Sequence, residues 1–216
     1  MANEGGAVLK KILLIGGGGH CHSVIDSILS IGAYNAIGII DNNKSSWLGI
    51  DTIGTDDDIP DLVSDGWHNA FITAGSVGNT QVRHRLFEMA ELNGLDVVSI
   101  IDPTAIVARG TTIGKGVFVG KQAVINAGSR IGDCAIVNTG AIIEHDCEVG
   151  AFSHISPGSV LCGQVSVGAD SHVGAGSSVI QQVKIGESSI IGAGSVVVKD
   201  IPSMVKAYGN PCRVVE

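Results

Sequence analysis

The sequence predicts a small Rossmann-like α/β domain in residues 1–100, followed by a left-handed parallel β-helix of hexapeptide repeats in residues 101–216. Two observations lead to this prediction. A branched aliphatic residue recurs at every sixth position through residues 101–197, and short apolar runs alternate with helical periodicity before that segment. The composition agrees, because apolar residues reach 44% while aromatic residues make up only 4% and glycines number 31.

The hexapeptide repeat continues without a slip, and its fifth position is small or β-branched throughout. The first residues of successive hexads are Ile101, Val107, Ile113, Val119, Ile125, Ile131, Val137, Ile143, Val149, Ile155, Leu161, Val167, Val173, Val179, Ile185, Ile191 and Val197. Each hexad is predicted to form a short strand and a tight corner, with three hexads closing one triangular coil. Successive coils then stack at about 4.8 Å. The left hand is taken from the known behaviour of hexapeptide repeats.

Each hexad position has a predicted place in the prism. The first residue fills the interior, and the small fifth residue fits beside the corner. The second position is often glycine, as at Gly114 and Gly150, which we expect to supply unusual backbone angles and close approach between coils. Such a solenoid needs capped ends. Residues 102–104 open the prism, residues 200–202 close it, and residues 209–211 turn the tail.

Residues 10–101 are predicted to contain alternating strands and helices, which implies a parallel sheet with a ligand at its carboxyl ends. The predicted strands are residues 11–15, 36–40, 70–74 and 96–100. The first helix follows the glycine run, with Val24, Ile25, Ile28 and Leu29 on its inner face. The second begins at Asn79, has Val82, Leu86 and Met89 on its inner face, and ends at Gly94.

The run from Gly16 to His20 joins the first strand to the first helix. Bare N–H groups at a helix start suit a phosphate, and Asp41 after the second strand is placed to accept a sugar hydroxyl. A purely structural turn is the alternative, because a GxGxxG frame begun at Gly16 has Cys21 at its last glycine. We expect nucleotide or nucleotide-sugar binding here.

Three histidines lie on the predicted prism. His145 occupies an outward third position beside Asp146, which suits a general base, although a solvated corner histidine is the alternative. His154 and His172 share the sixth position one coil apart, where paired imidazoles could hold an anion or a metal. For His172 we favour an ordinary surface position. Cys147 is expected to point into the core.

Composition and cysteine spacing exclude several classes of protein. The net charge of −8 argues against a surface for nucleic acid or anionic membrane. The five cysteines form no CxxC pair, so neither a disulfide framework nor a cysteine-based zinc site is indicated. The apolar run of residues 12–15 is too short for a signal peptide or a membrane span. A cytoplasmic location is expected.

The chain resembles the PglD/NeuD family of bacterial sugar acyltransferases over essentially its full length. The motifs that carry the resemblance are IGGGGH at 15–20, VNT at 137–139, IEHDC at 143–147, GAFSH at 150–154 and GNP at 209–211. The resemblance implies an acetyl-CoA-dependent acetyltransferase with direct transfer and no metal. It also implies a homotrimer in which CoA lies between neighbouring prisms, so that one active site uses two subunits.

The resemblance further implies a role for individual residues. His145 would be the general base and Asp146, where relatives often have Glu, would tune it. His154 would contact acetyl-CoA, Ala175 would offer its backbone to the pantetheine, and Asn138 would help position the acceptor. The residues implied to hold the nucleotide-sugar are Gly18, Gly19, His20, Asp41, Asn42 and Gly75. The acceptor we expect is the amine of a UDP-linked amino-sugar, with sialic acid O-acetylation as the alternative.

Three other functions fit these features less well. A zinc hydratase on the same prism, like the γ-class carbonic anhydrases, needs an H-x4-H pair that the prism histidines lack. A non-catalytic scaffold that senses sugar nucleotides would bind ligand without turnover. An NAD-dependent oxidoreductase is disfavoured by the short α/β unit and its broken glycine pattern.

Overall fold

A computed structural model describes residues 10–215, which form an α/β unit followed by a long triangular prism. The expectation that the chain begins without a signal peptide partly concerns residues 1–9, which lie outside the described residues. Within the described part of the chain, no helix is both long and apolar enough to cross a membrane.

The α/β unit is built on one sheet whose strand order is β3-β4-β2-β1-β5-β6. Its elements are β1 Lys11–Ile15, α1 Gly19–Ile31, β2 Ala36–Ile40, β3 Ser46–Trp47, β4 Ile50–Gly54, α2 Ile59–Ser64, β5 Asn69–Ile72, α3 Gln81–Leu92 and β6 Asp96–Val97. All neighbours pair in parallel except β3 and β4, which form an antiparallel hairpin. The carboxyl ends of β1, β2 and β5 therefore meet at one edge, as predicted for a ligand site.

The sequence located β1 and β2 correctly but missed several smaller elements. The β3–β4 hairpin and α2 have only two to six residues per element. Although Ile59, Leu62 and Val63 of α2 follow helical spacing, six residues are too few for periodicity to identify a helix. The predicted strand at 96–100 is divided. Asp96–Val97 stays in the α/β sheet, whereas Ile100–Ile101 already pairs with the prism strand Phe118–Val119. The second predicted helix corresponds to α3, which begins at Gln81, two residues after the predicted start.

Two predicted inner-face residues of the helices are exposed. Leu29 is 49% exposed and Val82 is 55% exposed, while Ser27 and Arg83 are buried in the same helices. The physical reason is that both helices pack against polar groups of the prism. Ser27 Oγ donates to the buried Asp102 carboxylate at 2.6 Å, and Arg83 donates to prism carbonyls. Polar groups of the prism therefore bury polar residues of the helices, so the apolar periodicity did not predict which helix residues face the prism.

The prism consists of two-residue strands that recur every six residues. They are β7 Ile100–Ile101, β8 Ile106–Val107, β9 Thr112–Ile113, β10 Phe118–Val119, β11 Val124–Ile125, β12 Arg130–Ile131, β13 Ile136–Val137, β14 Ile142–Ile143, β15 Glu148–Val149, β16 His154–Ile155, β17 Val160–Leu161, β18 Ser166–Val167, β19 His172–Val173, β20 Ser178–Val179, β21 Lys184–Ile185, β22 Ile190–Ile191 and β23 Val196–Val197. Every strand pairs in parallel with the third strand along the chain, so three hexads make one coil. This confirms the predicted left-handed parallel β-helix.

The three faces of the prism differ in their outward side chains. The docked face, β7 to β22 in steps of three, presents Ile100, Phe118, Ile136, His154, His172 and Ile190. The apolar face, β8 to β23, presents Ile106, Val124, Ile142, Val160, Ser178 and Val196. The polar face, β9 to β21, presents Thr112, Arg130, Glu148, Ser166 and Lys184.

The α/β unit covers the docked face. Side chains of α1 and its sheet, including Ile12 and Ile25, form one buried cluster with Phe118 and Ile136 of the prism. A separate cluster fills the prism interior with the first-position residues, as predicted. The tail strands Lys206–Gly209 (β24) and Cys212–Val214 (β25) form an antiparallel hairpin beside β22, and the turn between them lies where the sequence placed it.

The corner backbone corrects one detail of the repeat. Left-handed φ angles occur at the fourth position of the hexad, as at Asp146 (58°) and Phe152 (58°), and not at the second. The second-position glycines serve close approach alone. A β-carbon at Gly150 would lie 2.4 Å from the amide nitrogen of Ala169 on the next coil. Stacked corners therefore exclude side chains where the backbones nearly touch.

Candidate active site

The His145 imidazole and the Asp146 carboxylate form a hydrogen-bonded pair at an outward corner of the prism. Nδ1 of His145 lies 2.9 Å from Oδ2 of Asp146, and both side chains are more than half exposed. Because a carboxylate only accepts hydrogen bonds, Nδ1 carries a proton, and in the neutral ring the lone pair lies on Nε2. A free lone pair beside an orienting carboxylate is what a general base requires.

His154 is held in one tautomer by its surroundings. Its Nδ1 lies 3.1 Å from the carbonyl oxygen of Ser76, which can only accept, so Nδ1 carries the proton. Its Nε2 lies 3.1 Å from Nδ2 of Asn138 and accepts from that amide. Burial, helped by the nearby His172 and Arg83, lowers the pKa of His154 to about 4, against the opposing effect of its hydrogen bond to Ser76. His154 is therefore neutral at physiological pH.

His172 does not lie on the surface, contrary to the interpretation favoured from the sequence. Only 8% of the residue is exposed, and its ring meets that of His154 edge-on with centroids 5.0 Å apart. The α/β unit covers the docked face, which periodicity within the prism could not show. Nε2 of His172 lies 3.3 Å from Oγ of Ser156, and burial lowers the pKa of His172.

The glycine run bends the chain from β1 into α1. Gly16 has a φ of 114° and donates to the carbonyl of Ile40 at 2.8 Å, and α1 begins at Gly19 after the N-cap Gly18. Asp41 accepts the N–H of Gly17 at 2.6 Å through Oδ2. The loop is therefore fixed before any ligand arrives, and its later N–H groups lie at the positive end of the α1 dipole.

His20 is the first side chain of α1 to reach the prism. Its ring packs edge-on against Phe118 of the docked face, with centroids 5.1 Å apart. Burial lowers the pKa of His20 to about 4, with His154 and Arg83 as further causes. Nε2 of His20 is buried and finds no hydrogen-bond partner among residues 10–215. A buried ring nitrogen without a hydrogen bond destabilises the protein unless a ligand supplies that hydrogen bond.

One cavity of about 390 Å³ lies between the α/β unit and the docked face. It brings together five of the predicted site residues: Gly19, His20, Gly75, Asn138 and His154. Gly19, His20 and Ser23 of α1 line one wall, and the Asn138–His154 pair lines the other. This arrangement could hold an anionic ligand on the α/β side with its reacting end against the prism.

Asp41 and Asn42 line a separate cavity of about 200 Å³, beside Gly16 and Arg85. The Asp41 carboxylate already accepts two backbone N–H groups, those of Asn43 and Gly17, and these hydrogen bonds lower its pKa. The carboxylate thus orders the glycine loop in this structure. Of the residues implied to hold the nucleotide-sugar, Asp41 and Asn42 therefore line this cavity. Gly19, His20 and Gly75 line the other, and Gly18 lines neither.

Ala175 lies exposed at another corner, where the docked face turns into the apolar face. Its carbonyl accepts the N–H of Gly194 at 2.8 Å and keeps a second lone pair, so a ligand contact there could use that carbonyl or the N–H of Ala175. His145 lies at the opposite edge of the apolar face. The predicted base is therefore not brought to the His154 cavity within one chain.

Four residues that line the cavity were absent from the sequence prediction: Ser23, Ser76, Val77 and Ile136. Ser76 acts through its backbone carbonyl, for which no side-chain pattern exists, and Ser23 lines the cavity from α1. Among the described residues, no group of three or more His, Cys, Asp or Glu side chains is placed to hold a metal ion.

Comparison with known families supports two successive units. Residues 11–90 match the model of the PglD N-terminal domain. Residues 164–199 match the bacterial transferase hexapeptide model, and residues 110–145 and 140–181 match the hexapeptide repeat of succinyl-transferase. No curated protein sequence matches the chain.

Solved structures match nearly the whole chain. PerB from Caulobacter crescentus, in complex with CoA and GDP-perosamine, is 39% identical with a TM-score of 0.90, covering 97% of this chain and 99% of that one. The acetyltransferase domain of PglB from Neisseria gonorrhoeae, in complex with acetyl coenzyme A, is 35% identical with a TM-score of 0.89, covering 96% and 100%. WeeI from Acinetobacter baumannii has the same fold at 22% identity, with a TM-score of 0.85, covering 95% and 100%.

The α/β unit, the hexapeptide prism and a relative more than a third identical along nearly its full length lead to one assignment. The chain belongs to the PglD/NeuD family of bacterial sugar acyltransferases.

Proposed function

We propose that this protein transfers the acetyl group of acetyl-CoA to the amine of a nucleotide-linked amino-sugar, for the synthesis of a glycan or surface polysaccharide. The observation that carries the proposal is the His145–Asp146 pair. Its Nδ1 is bound to the carboxylate at 2.9 Å, and its Nε2 has no hydrogen-bond partner in the part of the chain that the structure describes. A neutral imidazole with a free lone pair can deprotonate an attacking amine at neutral pH.

The proposed reaction is a direct transfer. Nε2 of His145 takes a proton from the acceptor amine as the amine nitrogen attacks the thioester carbonyl. The C–S bond then breaks, the amide forms, and the proton passes to the departing CoA thiolate. Holding both substrates in one cleft supplies much of the acceleration. The bare corner at Ala175, with Gly176 beside it, leaves room for a pantetheine chain along the coil.

The acceptor is proposed to lie across the glycine loop. The N–H groups at the start of α1 suit a diphosphate, and the cavity with His20 and Asn138 suits the amino-sugar. The relative from Caulobacter binds GDP-perosamine, which supports a nucleotide-linked acceptor here. UDP is the nucleotide expected from the sequence, so UDP- and GDP-linked amino-sugars are the first substrates to compare.

We propose a homotrimer with active sites shared between subunits. The α/β unit covers the docked face, and the polar face carries charged and hydroxyl side chains. The apolar face presents Ile106, which is 64% exposed, together with Val124, Ile142 and Val160. Burying this stripe against a second copy removes apolar surface from water. Such packing would bring His145, at the edge of the apolar face, toward the Asn138 corner of a neighbour.

Subunit sharing can be tested by complementation. His145→Ala and Asn138→Ala chains, each with little activity alone, are co-expressed and purified as mixed trimers. Random mixing should place an intact His145 beside an intact Asn138 in about one quarter of the sites. Activity near that fraction supports a shared site. No recovery from trimers proven to be mixed would mean that each site uses one chain.

The activity is tested by free-thiol release from acetyl-CoA with UDP-amino-sugars, GDP-amino-sugars and sialic acid in parallel, for wild type and His145→Ala. Turnover on one amino-sugar that collapses in the variant supports the proposal. Both CoA and GDP-perosamine are present in solved histidine variants of the Caulobacter relative, so the ligands need not be lost with such a side chain. Turnover on sialic acid alone would indicate O-acetylation. CoA binding without turnover on any acceptor would favour the scaffold.

A further inference from the structure

Arg83 is a buried guanidinium at the junction between α3 and the prism. Only 2% of the residue is exposed, although the neighbouring Val82 on the same helix is 55% exposed. Burial lowers the pKa of Arg83 to about 10, so the side chain keeps its charge at neutral pH. A buried charge is costly to desolvate and is retained only where its partners are specific.

The hydrogen-bond acceptors of the guanidinium within residues 10–215 are all neutral, and the Asp170 carboxylate acts on it only through its charge. Nη1 donates to the carbonyl of Phe152 at 2.8 Å, and Nη2 donates to the carbonyl of Cys134. The charge also lies over the Phe152 ring, 5.7 Å from its centroid. Phe152 and Cys134 occupy the same left-handed corner position in successive coils. Arg83 therefore spans two coils of the prism from a helix of the α/β unit.

Two further residues of the α3 region hold the next corner of the same column. Nε2 of His84 lies 2.7 Å from Oδ1 of Asp170, and Oγ1 of Thr80 donates to the same oxygen at 2.6 Å. The His84 ring also stacks on Phe152, with centroids 3.6 Å apart. α3 is thus fastened to three successive coils. Arg83 is the buried member of this attachment, and the His84–Asp170 pair is partly exposed.

The attachment controls the loop that lines the candidate site. Residues 73–80 connect β5 directly to α3, and this loop supplies Gly75 and Ser76 to the cavity. The carbonyl of Ser76 fixes the Nδ1 tautomer of His154. A shift of α3 along the prism would move this carbonyl away from the ring. The position of His154 therefore depends on α3, which begins five residues after Ser76.

We propose that Arg83 is a positioning residue that holds the acceptor-binding loops in register with His154 and Asn138 on the prism. The expected effect on the acceptor KM rests on the proposed acetyl transfer. The expected effect on the His154 tautomer does not. The guanidinium acts through α3 and residues 73–80 and touches neither substrate. Lysine has one donor centre in place of a planar fork, so it cannot serve two carbonyls in successive coils equally well.

The test compares Arg83→Met and Arg83→Lys with Arg130→Met, which removes an exposed arginine from the polar face. Steady-state kinetics should show that Arg83→Met raises the KM of the nucleotide-sugar about tenfold or more, whereas Arg130→Met leaves that KM unchanged. Arg83→Lys should fall between wild type and Arg83→Met. An unchanged acceptor KM for Arg83→Met in a folded protein, or an equal rise for Arg130→Met, would overturn the proposal.

A second measurement does not depend on turnover. Nitrogen-15 NMR of labelled histidines should show His154 as a single Nδ1–H tautomer in the wild type and in Arg83→Lys. Arg83→Met should show this tautomer exchanging or lost. An unaltered His154 signal in Arg83→Met refutes the positioning role, whichever acceptor proves correct. Absent turnover in the wild type with the altered signal in Arg83→Met would instead refute only the proposed function.

Discussion

The imidazole of His145 lies directly over the backbone of Gly163, one coil further along the prism. A β-carbon at Gly163 would lie 2.6 Å from Nε2 and 2.7 Å from Cε1 of His145. No side chain of any size fits there without moving the ring. The backbone of Gly163 is not in the left-handed region, so the glycine is needed for the space that it leaves.

The first prediction follows from this contact. Gly163→Ala should lower kcat about 10- to 100-fold, because the displaced ring no longer presents Nε2 to the acceptor. Stability should change by less than about 1 kcal/mol, since alanine suits this backbone and the corner is partly open. The matched control is Gln181→Ala, one coil further at the same hexad position, which should retain wild-type kcat. An equal loss in the control would point to general disturbance of the corner.

A second prediction concerns Asp146. Asp146→Asn keeps the size of the side chain and tolerates the left-handed φ of 58° but removes the charge that orients His145. We expect kcat to fall about tenfold with little change in the KM of acetyl-CoA. Asp146→Glu, which keeps the negative charge, should retain more activity than the asparagine variant. Full activity of Asp146→Asn would show that the carboxylate charge plays no part.

A third prediction concerns acid stability. The pKa values of His20 and His154 are lowered by burial to about 4, from an ordinary value of 6.5. Below pH 6.5 these histidines are protonated in the unfolded chain but not in the folded chain. Their contribution to the free energy of unfolding is therefore complete above pH 6.5 and is lost as the pH falls toward 4. By pH 5, protonation of each histidine in the unfolded chain should lower the free energy of unfolding by about 2 kcal/mol.

Urea unfolding at pH 7.5 and pH 5.0, at one protein concentration, measures this loss. The variant His154→Gln should show a smaller difference between the two pH values than the wild type, because glutamine does not titrate. His68→Gln, outside the candidate site, provides the control. A pH dependence of His154→Gln equal to that of the wild type would contradict the assignment.

A fourth prediction concerns the proposed trimer. Val160→Lys places a charge in the middle of the apolar face, and Ser166→Lys places the same charge at the equivalent position of the polar face, one hexad later. Light scattering should find monomers or unstable oligomers only for Val160→Lys, because burying an unpaired charge between subunits is unfavourable. Its activity should fall at least about tenfold, since the proposed site needs two chains. A stable, active trimer of Val160→Lys would place the interface elsewhere.

The sequence by itself determined the repeat architecture and the motifs. A residue that fills a prism must recur with the period of the coil, so the hexads alone define the interior, the corners and the outward direction of His145. The first two strands and the glycine run were equally readable, because a buried strand and a tight turn each leave a local pattern.

The tertiary structure alone decided how the two units meet. Burial of His172, the tautomer of His154 and the polar inner faces at Ser27 and Arg83 all arise from contacts between residues far apart in the chain. The space over Gly163 likewise depends on stacking one coil on another. Local periodicity reports which face of an element is buried against its own unit. It carries no information about a second unit that later covers the opposite face.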